Sequence, residues 1–86
     1  MANTKILLVD DDDLIRSTLG EVLQQHGFDV TTAASESEAL KHISSNVYDV
    51  LLSDLHTPGA GDGVTIVSAM RHANPKAVAM FKQRSL

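Results

Sequence analysis

Apolar residues in this chain follow two alternating periods. Short continuous aliphatic runs are separated by stretches in which apolar positions recur every three or four residues. Lys5–Val9 is one such run. It lacks the alternation of a half-exposed strand, which predicts a strand buried on both faces. Leu14, Ile15, Thr18, Leu19, Val22 and Leu23 then share one stripe at helical spacing, predicting a helix over about Asp13–His26 with Asp13 as its cap. Gly27 stands where such a helix ends in a left-handed residue.

Phe28–Ala33 reads as a second strand, made more polar by Thr31 and Thr32 and so suited to a sheet edge. Ser35-Glu36-Ser37-Glu38 has capping-box form, and Ala39, Leu40 and Ile43 follow as a short helix to about Ser45-Asn46. Val47–Ser53 reads as a third strand, followed by Asp54. Thr57–Gly63 is a loop by composition. Val64, Ile66, Val67 and Met70 mark a third helix ending before Pro75, and Ala77–Phe81 a fourth strand. The order βαβαβαβ predicts an α/β fold: a doubly wound parallel sheet with right-handed crossovers and helices on both faces.

Eighty-six residues correspond to one domain, with a core that must be aliphatic because Phe28, Phe81 and Tyr48 are the only aromatics. The absence of cysteine removes disulfides, thiolate metal sites and thiol nucleophiles. The longest apolar run, Ile6–Val9, is far too short to span a membrane, and Met1–Lys5 carries no signal-peptide core, so a cytoplasmic location is expected. The net charge of -4 comes from one place: without Asp10, Asp11, Asp12 and Asp13, the remaining acidic residues balance the seven lysines and arginines. No basic patch supports nucleic-acid binding.

Ligands of open parallel sheets bind at the carboxyl ends of strands. Asp10 and Asp11 end the first predicted strand and Asp54 the third. If those strands are neighbours they lie about 4.8 Å apart. Two like charges at ~4 Å cost about 4 kcal/mol at an effective dielectric of 20. A cluster of three carboxylates therefore calls for a bound proton or cation. All-oxygen ligation favours a hard ion such as Mg2+. A carboxylate is a competent phosphoryl acceptor when nearby positive charge screens the incoming anion.

Ile6-Leu7-Leu8-Val9-Asp10-Asp11-Asp12, Asp49-Val50-Leu51-Leu52-Ser53-Asp54-Leu55-His56-Thr57-Pro58-Gly59 and Asp62-Gly63 together resemble a response-regulator receiver domain of two-component signalling, over about residues 5 to 80. The resemblance implies a flavodoxin-like fold, of which this chain would carry strands in the order 2-1-3-4 and lack the last strand and last two helices; residues 1–86 would form a partial receiver domain. It implies that Asp54 accepts a phosphoryl group from a histidine kinase or phosphotransfer protein. It implies Mg2+ held by Asp11, Asp54 and the backbone carbonyl of His56, with Asp10 acting mainly through water. It implies a phosphoacceptor and not an enzyme acting on other molecules.

The sequence departs from the family pattern in two places. The loop reads Pro58-Gly59-Ala60-Gly61-Asp62-Gly63, one residue longer than the common P-G-x-D-G. The position at which the family carries a Ser or Thr is Gln83, and the family's later lysine has no counterpart. Impaired phosphorylation and self-association through an open sheet edge are the corresponding expectations.

Simpler readings exist for single motifs. Asp12 and Asp13 suit helix capping, and Asp54 alone suits a turn. Gly59-x-Gly61-x-Gly63 lacks the Lys-Ser/Thr of a phosphate-binding loop. His26, His42, His56 and His72 show no metal-pair spacing, and Lys41 and Arg71 read as solvated. Asp10-x-Asp12 also resembles a haloacid-dehalogenase phosphatase signature, which requires a much longer chain. A calcium loop starting at Asp10 would place Ile15 where glycine is required. An inert or dimerising receiver fragment, binding metal or kinase without productive phosphorylation, is the principal alternative function.

Overall fold

The computed structural model describes residues 3–54 and 64–81; for Asp54, Val64 and Phe81 the description covers the backbone alone. Four strands alternate with three helices: β1 (Lys5–Asp10), α1 (Asp13–Gln25), β2 (Asp29–Ala33), α2 (Glu36–Ser45), β3 (Val50–Asp54), α3 (Val64–Ala73) and β4 (Val78–Phe81). The strands form one parallel sheet in the order β2-β1-β3-β4. Both the doubly wound class and the predicted strand order are observed, with polar β2 at an edge and β1 and β3 inside.

One sheet face holds the main core. Leu7, Val9, Leu51 and Ala77 pack there with Ala39 and Ile43 of α2 and Ile66 and Met70 of α3. Burial of each large aliphatic side chain of this kind contributes about 1.5–3 kcal/mol. The opposite face carries α1, whose sole buried residue is Gly20, set over Leu8 and Thr32. The apolar stripe of α1 is therefore only partly spent on the sheet. Leu14, Ile15, Leu19 and Val22 line an open groove of about 670 Å³ with Leu8, Leu52 and Met80. Leu14 is 75% exposed and Met80 53%, so this side is bare beyond α1 among the described residues.

Local chemistry explains the element ends, with several corrections to the sequence reading, among them β4, which begins at Val78 and not Ala77. The cap of α1 is Asp12, not Asp13: its side chain accepts from the Ile15 amide, while Asp13 lies in the first turn. Helix α1 ends at Gln25, and Gly27 follows in the left-handed region at φ 89° as expected. Strand β2 begins at Asp29, one residue after Phe28, whose amide is still bonded to the Leu23 carbonyl of the helix exit. Strand β3 begins at Val50, not Val47. Val47 is exposed, and sheet bonding starts around Asp49, whose amide donates to the Lys5 carbonyl and whose carbonyl accepts from Val78. In α2 the Ser35 hydroxyl accepts from the Glu38 amide as a capping box requires. The returning carboxylate of Glu38, however, accepts from Ala34, one residue before the cap.

Candidate functional site

The acidic rim is built by two neighbouring strands. Asp10 and Asp54 are Cα partners in the β1–β3 register, each the last residue of its strand. Parallel pairing holds such partners about 4.8 Å apart. The aliphatic runs before them fix this placement, since Leu7 pairs with Leu51 and Leu8 with Leu52 in the same ladder. Sliding one strand by a single residue would turn its core side chains to the other face.

Asp10 is 1% exposed, and its Oδ1 accepts from the Asp12 amide at 2.8 Å. A carboxylate rarely tolerates such burial without compensation. The strand itself reaches Asp10, and Asp11 lies just beyond it, exposed in the turn before α1. Asp12 and Asp13 serve the helix start.

Arg16 closes the turn, a part that the sequence reading did not single out. Its Nη1 donates to the Asp10 carbonyl at 2.8 Å and its Nη2 to the Asp13 carboxylate. The i,i+3 spacing of Asp13 and Arg16 was visible in the sequence; the reach back to the strand end was not. His56, the Thr57–Gly63 loop and Gln83 lie outside the described residues. Among the described residues, no three His, Asp or Glu side chains gather as a metal site, and the Asp54 side chain is not among them. His26 and His72 are exposed and His42 half-buried, in keeping with their bland reading.

Comparison with known proteins decides the family. The family model of the response regulator receiver domain matches residues 6–82. The chain belongs to this family. As a receiver domain it is a phosphoacceptor module of two-component signal transduction. It is 41% identical over 78 residues to a protein-glutamate methylesterase/protein-glutamine glutaminase of Rhodospirillum rubrum, a match that covers 90% of this receiver and 21% of that protein. The receiver thus spans about a fifth of the length of that curated relative. Among solved structures, the receiver domain of the hybrid histidine kinase CckA superposes with a TM-score of 0.79 at 37% identity, covering 90% of this chain and 72% of that one. The response regulator TrrA of Thermotoga maritima, solved in complex with Mg2+ and BeF, gives a TM-score of 0.70 at 35% identity, covering 91% of this chain and 65% of that one. No helix among the described residues is long and apolar enough to cross a membrane.

Proposed function

We propose that Asp54 is the phosphoryl acceptor of this receiver, working with a divalent cation held beside Asp10 and Asp11. The observation that carries the reading is the β1–β3 register, which brings Asp54 level with Asp10 at the carboxyl end of the sheet. That rim is the ligand-binding position of doubly wound folds.

The donor set fits a hard divalent ion. Asp10 is buried, and among the described residues its carboxylate is answered by a backbone amide, not by a cationic side chain. Oxygen donors on two strand ends suit Mg2+, as does the Mg2+ named with the Thermotoga relative. Asp11, Asp54 and the His56 carbonyl would hold the ion, with Asp10 supporting it. When bound, the ion supplies positive charge that screens the carboxylate from the incoming phosphoryl group.

The reaction is a single group transfer. A carboxylate oxygen of Asp54 forms a bond to phosphorus while the N–P bond of a phosphohistidine on a kinase or phosphotransfer protein breaks. The electron pair of that bond stays on the imidazole nitrogen. The product on this chain is an acyl phosphate. Asp10 and Asp11 are not acceptors in this reading; they hold the rim negative enough to recruit the cation.

Incubating the protein with acetyl phosphate and Mg2+, followed by intact mass measurement, tests the assignment. One added phosphoryl group is expected, lost in Asp54→Ala and on chelation of Mg2+. Labelling that survives Asp54→Ala would overturn it.

A further inference from the structure

We infer that Arg16 is a positioning residue for the cation-binding rim; this rests on the function proposed above. The turn from β1 into α1 carries Asp10 and Asp11, and its hydrogen bonds include these four. The Asp12 amide donates to Asp10 Oδ1, the Ile15 amide to Asp12 Oδ1, and the Arg16 amide to the Asp12 carbonyl. These three are local and belong to the helix start. The fourth, from Arg16 Nη1 to the Asp10 carbonyl, ties a side chain of the helix's first turn back to the backbone of the strand end.

The geometry requires a guanidinium. One nitrogen serves the Asp10 carbonyl and another the Asp13 carboxylate, a forked pattern that the single ammonium of lysine cannot reproduce with the same rigidity. The Arg16 side chain is 20% exposed, against 88% for Asp13, so the fork is anchored at its inner end. Asp13 also answers the charge of Arg16 from outside the rim. Arg16 therefore acts on the rim by fixing its backbone and not by lending it charge.

A positional role and a purely electrostatic one predict opposite signs. Removing a cation beside four consecutive aspartates strengthens Mg2+ binding if charge is all that matters. It weakens binding if the turn loses the tie that sets Asp10 and Asp11. The test is calorimetric titration with Mg2+ alone, on the full chain, for wild type, Arg16→Met, Arg16→Lys and Asp13→Asn. Urea denaturation of each variant in the absence of Mg2+ confirms that the titrated protein is folded. Losses of supporting contacts around metal ligands weaken affinity by about 10–100-fold. A rise in Kd of about tenfold is expected for Arg16→Met, with partial recovery in Arg16→Lys and a smaller rise in Asp13→Asn. In the NMR spectrum the Asp12 amide resonance of Arg16→Met is expected to move even without Mg2+. Unchanged or tighter Mg2+ binding by folded Arg16→Met, with wild type binding normally, overturns the inference alone. Failure of wild type to take up Mg2+ overturns the proposed cation site, and this inference with it.

Discussion

Asp10 and Asp54 stand level with each other at the ends of adjacent parallel strands, paired in the β1–β3 ladder although far apart in the chain. Negative charge at both positions would be mutually repulsive, and among the described residues no side-chain cation opposes the Asp10 carboxylate.

The first prediction concerns that repulsion. Asp54→Asn should raise stability in metal-free buffer, by about 1–4 kcal/mol, the range for like charges about 4 Å apart between bulk water and a protein surface. Mg2+ should raise the stability of wild type by mass action and have little effect on the variant. Urea denaturation with and without Mg2+ measures both. A destabilised Asp54→Asn in metal-free buffer would show that repulsion is not the dominant effect.

The two glycines around α1 should respond in opposite directions. A Cβ on Gly20 would meet Thr32 Cγ2 at 3.5 Å and Leu8 Cδ2 at 3.8 Å, both ordinary contacts. Gly20→Ala should therefore gain up to about 1 kcal/mol from helix propensity. Gly27 has space around it but a φ of 89°. Gly27→Ala should lose about 1–2 kcal/mol through the left-handed backbone. Thermal melts of the two variants, moving apart from wild type, check this.

Leu51 is fully buried at the centre of the main core, beneath α2 and α3. Leu51→Ala should cost about 2–5 kcal/mol, a large part of the stability of a domain this small. The midpoint of urea denaturation provides the measurement.

Beside α1, the apolar groove adjoins β4, which among the described residues pairs with β3 alone. Open edges and contiguous apolar surface promote association. The 86-residue chain on its own is expected to associate with a second copy as concentration rises, and Met80→Lys to reduce this. Light scattering that shows a monomer throughout the concentration range would count against it.

Much of this protein was legible from residue order. Lys5–Val9 is too apolar and too short for anything but a buried strand, and the stripe from Leu14 to Leu23 fits only a helix. Gly27 gave the helix end because few other residues accept its φ. The start of β3 was less legible: Val47 and Tyr48 have strand-like side chains, yet hydrogen bonding to β1 and β4 begins only around Asp49. Strand limits depend on partners that lie elsewhere in the chain. The cap of α1 was misplaced by one residue because consecutive aspartates offer equivalent side chains, and only backbone geometry selects Asp12.

By itself, then, the sequence determined the order of elements, their apolar faces and which residues could carry the chemistry. These follow from local periodicity and from the functional groups themselves. Tertiary structure alone decided that Asp10 and Asp54 stand in register, that Asp10 is buried while Asp11 is exposed, and that Arg16 reaches back to the strand end. Those relations depend on strand register and on the docking of α1 against the sheet. Both are fixed by packing between segments distant in the chain, which no local pattern encodes.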